Sequence, residues 1–322
     1  MKTALITGIT GQDGSYLAEF LLTRGYAVHG IVRRATTEDA AKMANLAACK
    51  ERVDLHVGSL DNYQFLRKTI EQAGPTECYH FASPSFVNYS LDDEISTFNE
   101  SFCATHALVS ALSECTPGCR LYYAGSSEMF GQTVASPQNE DTPLNPRSIY
   151  GIAKVAGYHL VRNYRDNQGF FVATGFLYNH ESPRRRPEFV TRKITSTVAR
   201  IKLGLEKTLT LGALDAERDW GYAPEYVQAA WRMLQQDRPG DYVIATGATH
   251  TVRTFLTHAF GHVGLRYEDH VRFDPRFFRP PEKVVLCGNT AKAVRLLDWH
   301  PCKPLAEIAA EMVEHDLSLV RR

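Results

Sequence analysis

The sequence shows no charge imbalance and no long hydrophobic run. Its 322 residues carry 36 lysines and arginines against 36 aspartates and glutamates, a formal net charge of zero. With no basic tract, nucleic acid is not the expected partner. No apolar run is long enough to cross a bilayer, and no signal-like apolar stretch follows Met1. We therefore predict a cytoplasmic protein of one or two domains that contacts neither nucleic acid nor membrane.

Cysteine pairs are also scarce. The seven cysteines are an odd number and scattered, and Cys115 and Cys119 are the only near neighbours. No histidine spacing typical of a zinc site accompanies them. The sequence therefore predicts reduced, packed thiols and no metal site.

A glycine-rich turn near the start organises the chain. The apolar run Ala4 to Ile6 leads into it, a helix-like stretch from Ser15 to Arg24 leaves it, and a second apolar run spans Ala27 to Val32. This strand–turn–helix–strand order is typical of a dinucleotide-binding unit, in which glycines let a pyrophosphate approach the main chain. The alternative is a structural turn without ligand. The turn residues predicted to bind the cofactor are Gly8, Thr10, Gly11, Gln12, Asp13 and Gly14.

Two arginines follow the second strand. NAD-binding units have an acidic residue here for the ribose 2′-hydroxyl, whereas Arg33 and Arg34 suit a 2′-phosphate. The pair therefore favours NADP over NAD, unless it is only a solvated basic pair.

The next stretch alternates strands and helices. Strands are expected over 53–57, 77–82 and 121–124, with helices over 62–73 and about 94–114. The pattern predicts an α/β fold with a doubly wound, Rossmann-type parallel sheet. Ligands of such sheets lie beyond the carboxyl ends of the strands, which here are the glycine turn, residues 82–85 and residues 125–128.

Tyr150 and Lys154 form a second candidate motif. Residues four apart share a helix face, so the Lys154 ammonium is expected to lower the pKa of the Tyr150 phenol and make it a usable base. Ser126 follows a strand about two dozen residues earlier, which gives the Ser–Tyr–Lys order of short-chain dehydrogenases. Glu128 could face the same cleft and remove a proton from carbon, or it could be a surface acid.

The chain resembles the GDP-mannose 4,6-dehydratases of the extended short-chain dehydrogenase/reductase superfamily. The similarity covers nearly the whole length. Its motifs are TGITGQDGSYLAEFLL at 7–22, SSEMFG at 126–131, PRSIYGIAK at 146–154, YNHESPRRRPEFVTRKI at 178–194, RDWGYAPEYV at 218–227, VIATG at 243–247 and DPRFFRPPE at 274–282.

The resemblance implies a lyase of nucleotide-sugar metabolism and deoxysugar biosynthesis. Tyr150 would take the proton of the sugar 4-hydroxyl while hydride moves from C4 to NADP. Glu128 would remove the C5 proton as water leaves C6, and the hydride would return to C6. Ser126 would hydrogen-bond the C4 oxygen, and Lys154 would assist Tyr150.

The resemblance also implies the remaining binding residues. Those expected at the cofactor, besides the turn and Arg33 and Arg34, are Ser59, Leu60, Phe81, Ala82, Ser83, Tyr150, Lys154, Leu177, Asn179 and His180. Those expected at the GDP-sugar are Ser85, Ser126, Glu128, Asn179, Val190, Lys193, Gly212, Arg218, Arg279 and Glu282. The run 184–186 is expected in a substrate lid or a subunit contact.

The implied organisation has two domains and more than one subunit. Residues 1–178 would bind NADP and carry the catalytic residues. Residues 179–322 would mainly bind the nucleotide sugar, with about 213–250 returning to the first domain. Helices over 94–114 and 150–166 would pair in a homodimer or homotetramer.

Some positions depart from the family pattern. Ser126 replaces the usual threonine, His80 and the next three residues replace Asn-Leu-Ala/Gly-Ala, and Ser59 replaces an aspartate. The loop 36–39 is acidic where basic residues are usual. Three alternatives stay open: GDP-manno-heptose as substrate, an NADPH-dependent 4-keto-sugar reductase or epimerase, and a non-catalytic NADP sensor.

Overall fold

The computed structural model describes residues 1–84, 93–274 and 284–321. In these ranges the strands are β1 (Thr3–Thr7), β2 (Ala27–Val32), β3 (Val53–Val57), β4 (Glu77–His80), β5 (Arg120–Ala124), β6 (Val172–Leu177), β7 (Asn179–Glu181), β8 (Leu209–Leu211), β9 (Glu217–Tyr222), β10 (Asp241–Ile244), β11 (Thr249–Thr251) and β12 (Val271–Phe273).

The α-helices flank these strands. They are α1 (Gln12–Thr23), α2 (Arg34–Thr37), α3 (Ala40–Met43), α4 (Tyr63–Ala73), α5 (Glu94–Phe98), α6 (Ala104–Cys115), α7 (Ile149–Gln168), α8 (Val190–Lys202), α9 (Ala223–Leu234), α10 (Val252–His262), α11 (Tyr267–His270), α12 (Ala291–Leu297) and α13 (Leu305–Val320).

The central sheet has seven parallel strands in the order β10-β6-β5-β4-β1-β2-β3. Residues 4–6 of β1 are completely buried, as expected for a strand covered by helices on both faces. The strand order reverses between β1 and β4, which opens a crevice at their carboxyl ends. The predicted doubly wound α/β fold is confirmed.

The later part of the chain forms a second core. β7 pairs with β9 in parallel and β11 pairs with β9 antiparallel, while β8 and β12 form a separate parallel pair. Apolar residues of α8, α10 and α13, among them Ile194, Phe255 and Met312, pack together beside these strands. The chain also returns to the first core, because β10 extends the central sheet and α9 packs against α1.

Several element boundaries differ from the predicted ones by one to three residues. α1 begins at Gln12 rather than Ser15, because Gly11 has the extended conformation of a helix N-cap. β4 ends at His80, two residues early. The helix expected over 94–114 contains a π-helical turn, Asn99–Cys103, between α5 and α6. In the parts of the chain described, no helix is long and apolar enough to cross a membrane.

Candidate active site

A cleft of about 2110 Å³ lies along the carboxyl ends of the central strands. One wall comes from the glycine turn and the strand ends, and the other comes from the segment that follows β6. The described residues predicted for the cofactor line it, except Arg34: Gly8, Thr10, Gly11, Gln12, Asp13, Gly14, Arg33, Ser59, Leu60, Phe81, Ala82, Ser83, Tyr150, Lys154, Leu177, Asn179 and His180.

The glycine turn fits a dinucleotide because its glycines place no side chains over the backbone of the turn. Gly8 has a positive φ of 72°, and a Cβ there would lie 2.9 Å from the backbone nitrogen of Ala82. A Cβ at Gly14 would lie 2.3 Å from the Gly8 carbonyl oxygen. The turn therefore requires glycine at both positions. It leaves the N-terminus of α1 open to the cleft, where main-chain N–H groups and the helix dipole favour a pyrophosphate.

A buried ion pair joins the first turn of α1 to the far wall. His180 in β7 contacts Asp13 through Nε2, 2.9 Å from Oδ2, and its Nδ1 lies 2.7 Å from the Tyr178 carbonyl oxygen. Burial lowers the pKa of His180, but the charge of Asp13 and the hydrogen bonds to Asp13 and Tyr178 together outweigh burial and leave the pKa raised. Burial likewise opposes the His180 charge at Asp13, whose pKa is lowered overall. The pair therefore favours imidazolium and carboxylate, which compensate each other beside the phosphate site.

Ser126 and Tyr150 meet at the end of β5. Ser126 follows this strand, and its hydroxyl accepts a hydrogen bond from the backbone N–H of Glu128 at 3.2 Å. Ser148 caps the N-terminus of α7, accepting from the Gly151 N–H at 3.1 Å, and so fixes the first turn that carries Tyr150. The Ser126 hydroxyl hydrogen-bonds to the Tyr150 phenol. The predicted pair is thus brought into direct contact.

The Tyr150 pKa departs from expectation. Burial raises it to about 12, the Ser126 hydrogen bond opposes this rise, and the Glu128 charge adds to it. The expectation that Lys154 lowers it is wrong for the protein chain alone, because the loss of hydration of the phenolate dominates. Glu128 itself lines the cleft close enough for its charge to act on the phenol.

Lys154 is buried one helical turn after Tyr150. Its Nζ donates to the Ala124 carbonyl oxygen at 2.8 Å and lies 5.9 Å from the centroid of the Tyr150 ring. Burial lowers the pKa of Lys154 to about 8, although the Asp13 charge opposes this. This proton is therefore held weakly next to the Tyr150 phenol.

The two arginines after β2 are not equivalent. Arg33 lines the cleft and forms an ion pair with Glu100, 3.2 Å between Nη1 and Oε2. Arg34 is exposed and is not part of the cleft wall that the described residues form. The structure therefore places Arg33 rather than Arg34, where α2 begins, on the cleft side of this strand end.

The run 184–186 divides in the same way. The Arg184 side chain packs against α1, where its guanidinium donates to the Glu19 carboxylate at 2.6 Å and to the Ser15 hydroxyl at 3.1 Å. Arg185 lines the cleft. Its guanidinium carbon lies 3.6 Å from the centroid of the Phe189 ring, and its Nε lies 3.2 Å from Glu181 Oε2. Arg186 also lines the cleft, and the sequence had singled out neither residue as a cleft residue. The run of arginines marked the segment, but its sequence does not show which guanidinium turns inward.

The residues predicted for the nucleotide sugar lie toward the second core. Lys193 in α8 donates to the Thr210 carbonyl oxygen at 2.8 Å, and burial lowers its pKa. The predicted residues that line the cleft are Ser126, Glu128, Asn179, Val190, Lys193, Gly212 and Arg218. Ser85, Arg279 and Glu282 lie outside the described residues. Among the residues described, no cluster of three side chains could hold a metal.

Comparisons with known proteins give the family. Residues 5–312 match the family model "GDP-mannose 4,6 dehydratase". The chain belongs to this family. GDP-mannose 4,6 dehydratase 1 of Arabidopsis thaliana is 44% identical over 334 residues, covering 100% of this chain and 91% of its own length. The family's human protein is 42% identical, with 99% and 92% covered, and its Vibrio cholerae protein is 40% identical, with 100% and 95% covered. The family predicted from the motifs is confirmed.

Solved structures share the dehydratase family's fold. Pseudomonas aeruginosa RMD, complexed with NADPH, has a TM-score of 0.83 at 20% identity, covering 99% of this chain and 100% of its own. dTDP-glucose 4,6-dehydratase of Bacillus anthracis, complexed with NAD, has a TM-score of 0.84 at 19% identity, with 98% and 96% covered. At these identities the likeness concerns the fold alone.

Proposed function

We propose that the protein is a hydro-lyase that converts GDP-mannose to GDP-4-keto-6-deoxymannose by internal hydride transfer through bound NADP. The observation that carries this proposal is the meeting of Ser126, Glu128, Tyr150 and Lys154 in one cleft with the glycine turn. Membership of the GDP-mannose 4,6-dehydratase family supports the substrate and the reaction class.

The residues divide the proton transfers between them. Bound NADP supplies a site that takes up a hydride and gives it back. Tyr150 accepts the proton of the sugar 4-hydroxyl, and the Ser126 hydroxyl, already hydrogen-bonded to that phenol, stabilises charge on the C4 oxygen. Lys154 lines the same cleft with a weakly held proton and so gives acid–base assistance to the phenol.

Glu128 performs the step that separates a dehydratase from a simple dehydrogenase. The new C4 ketone makes the C5 proton acidic, and the Glu128 carboxylate removes it and passes it to the C6 hydroxyl, which leaves as water. Addition of the stored hydride at C6 and of the proton held by Tyr150 at C5 would then complete the dehydration, with no net change in the cofactor. The net change is the loss of one water from the nucleotide sugar.

The test is incubation of the purified protein with GDP-mannose without added reductant, followed by mass spectrometry. We expect loss of one water with no net change in NADPH absorbance. Tyr150→Phe should lower turnover at least about 100-fold, as expected for loss of a general base. Tyr164→Phe, on the same helix but outside the cleft wall formed by the described residues, is the matched control.

Glu128→Gln separates the alternatives. A dehydratase should keep the oxidation at C4 and accumulate bound NADPH, because the elimination is blocked. Unchanged turnover of this variant would contradict the proposal and favour a 4-keto-sugar reductase or epimerase that consumes NADPH. A protein that leaves GDP-mannose intact is next tested with GDP-manno-heptose. Full biological function of Tyr150→Phe would indicate a non-catalytic NADP sensor.

We infer NADP rather than NAD from the position of Arg33. Its guanidinium reaches the cleft beyond β2, where a 2′-phosphate of the cofactor would lie. Arg33→Ala should weaken NADP binding about tenfold and leave NAD binding unchanged, a loss of about 1.4 kcal/mol. The adjacent Arg34→Ala is the control and should bind both cofactors normally. Equal NADP dissociation constants for the wild type and Arg33→Ala in titration calorimetry would refute this assignment.

The organisation of the protein also stays a proposal. We keep the division at residue 178, with about 213–250 returning, which the separate core of α8, α10 and α13 supports. A homodimer or homotetramer is supported by exposed apolar side chains on α5 and α7, Ile95 and Ile152, and sedimentation would test it. The predicted cytoplasmic location is supported by the scattered free thiols.

A further inference from the structure

His80 is a buried histidine that the proposed reaction does not use. It ends β4, 1% exposed, and its ring contacts side chains from two other elements. Nδ1 lies 2.7 Å from the Thr7 hydroxyl at the end of β1, and Nε2 lies 3.0 Å from the Thr105 hydroxyl in α6. A polar side chain buried this deeply must be hydrogen-bonded, and here both ring nitrogens are.

The partners determine where the protons lie. The Thr105 hydroxyl donates to the Ser101 carbonyl oxygen at 2.6 Å, so it can only accept from His80. Nε2 of a neutral imidazole therefore carries the hydrogen, and Nδ1 accepts from the Thr7 hydroxyl. The Thr7 oxygen in turn accepts the Ala82 N–H at 3.3 Å. One directed chain of hydrogen bonds thus runs from Ala82 through Thr7, His80 and Thr105 to Ser101.

The surroundings of the ring favour its neutral form. Burial, together with a smaller contribution from the charge of Lys154, lowers the pKa of His80 to about 3. Tyr123, whose ring centroid lies 6.1 Å from that of His80, is another titratable side chain near the ring. The neutral ring therefore keeps the direction of this chain of hydrogen bonds fixed near neutral pH.

Both ends of this chain belong to the cleft wall. Ala82 and Ser83 line the cleft, and the Gly8 backbone packs so closely on Ala82 that a Cβ would lie 2.9 Å from its nitrogen. At the other end, the π-helical turn that contains Ser101 contributes Asn99, Glu100 and Cys103 to the cleft. The Ser83 and Ser101 hydroxyls, 2.9 Å apart, close the loop.

We propose that His80 is a positioning residue for the cofactor, which holds the glycine turn, the Ala82–Ser83 segment and the π-helical turn in one fixed arrangement. The proposal rests on the proposed cofactor site. Its effect should be on the dissociation constant and the release rate of NADP(H), and only through these on turnover.

Three substitutions at His80 remove different numbers of its two side-chain hydrogen bonds. Phenylalanine forms neither bond, asparagine can place an amide near the Nδ1 position only, and glutamine offers one donor and one acceptor. We expect NADPH binding, measured by its fluorescence, to weaken about tenfold in His80→Phe, less in His80→Asn, and to return near the wild-type value in His80→Gln.

A control on the same strand separates positioning from stability. Tyr79 faces the opposite side of β4 and donates to Glu77 at 2.7 Å, so Tyr79→Phe loses a buried hydrogen bond away from the cleft. It should lower the melting temperature and leave the NADPH dissociation constant unchanged. Equal NADPH affinity of His80→Phe and the wild type, well below both melting temperatures, would overturn the proposal.

Thr105→Val gives a second test should His80→Phe fail to fold. Thr105 is outside the cleft wall in the part of the chain described, yet its loss should weaken NADPH binding several-fold. The ring ¹⁵N shifts of His80, assigned by their absence in His80→Gln, should report the neutral Nε2–H form from pH 5 to 9. Wild-type affinity in Thr105→Val, or an Nδ1–H ring, would contradict the proposal. A wild type that does not bind NADPH would instead refute the proposed function.

Discussion

Two lysines lie at opposite ends of the strands of the central sheet, and their charges are paired differently. Lys2 precedes β1 at the amino ends of the strands, here called the amino edge, and the carboxyl ends are called the carboxyl edge. The Nζ of Lys2 lies 2.8 Å from Glu77 Oε1 and 2.7 Å from the Gln235 side-chain oxygen. Burial opposes protonation of Lys2, but the Glu77 hydrogen bond and charge outweigh it and raise the pKa. At the carboxyl edge, Lys154 donates to a neutral carbonyl, and burial lowers its pKa to about 8.

The difference reflects what surrounds each ammonium. Glu77 is 1% exposed and accepts from Lys2, Tyr26, Tyr79 and Gln235, so the amino edge holds a fully paired network. At the carboxyl edge the buried Lys154 ammonium lies beside the Tyr150 phenol without a carboxylate partner among the residues that the structure describes. This burial costs stability, but it keeps the Lys154 proton weakly bound where the reaction is proposed. Stability and function are thus concentrated at opposite edges of one sheet.

Exchanging each lysine for methionine should give the largest contrast. Lys154→Met should lower dehydration of GDP-mannose about 10³-fold, within the range for loss of acid–base assistance, without loss of stability. Lys2→Met should turn over normally and unfold more easily. Turnover and urea unfolding of both variants measure this, and a less stable Lys154→Met would break the comparison.

Removal of Glu77 should have the next largest effect. Glu77→Ala leaves two buried tyrosine hydroxyls without their acceptor and the Lys2 ammonium with the Gln235 oxygen alone, and we expect the free energy of unfolding to fall by about 3–5 kcal/mol. NADPH affinity of the folded protein should not change. Glu77→Gln, which keeps an acceptor oxygen, should lose less. Weakened NADPH binding in either variant would show that the two edges are coupled.

The pH dependence of stability gives the smallest and most specific effect. Lys154 has a folded pKa of about 8 against an ordinary value of 10.5, so between these pH values the unfolded chain binds more protons and stability rises with pH. The wild type should gain about 2 kcal/mol from pH 8 to 10 relative to Lys154→Met.

Other groups titrate in this range but cancel in that difference. Burial raises the pKa of the Cys78 and Cys119 thiols, so these groups lower stability as pH rises, and they do so equally in both proteins. Chemical unfolding at several pH values measures the effect. An unfolding free-energy difference that stays constant from pH 8 to 10 would mean that Lys154 titrates normally.

Local spacing predicted much of the candidate site. The glycine turn, Ser126 and the pair Tyr150 and Lys154 are marked by short patterns, and strand ends of a parallel sheet must share an edge. All of these line the cleft. Where each would act followed from the order of strands and helices alone.

The features that the sequence did not predict depend on contacts between distant segments. The raised pKa of Tyr150 results from burial by the whole fold, and the inward turn of Arg185 from packing on Phe189. The π-helical turn at residues 99–103 has no proline or glycine to mark it. Arg34 differs from Arg33 only because a helix begins there.

The return of the chain to its first core has a consequence for synthesis on the ribosome. β10, which covers the β6 edge of the central sheet, begins at Asp241, and Leu297 and Trp299 complete the same apolar core. A nascent chain therefore contains β1 to β6 well before β10, the strand that pairs with β6, has been synthesised. Until then the β6 edge carries unpaired N–H and C=O groups, which can pair with another chain. Translation that stalls before Asp241 should leave a fragment prone to aggregation.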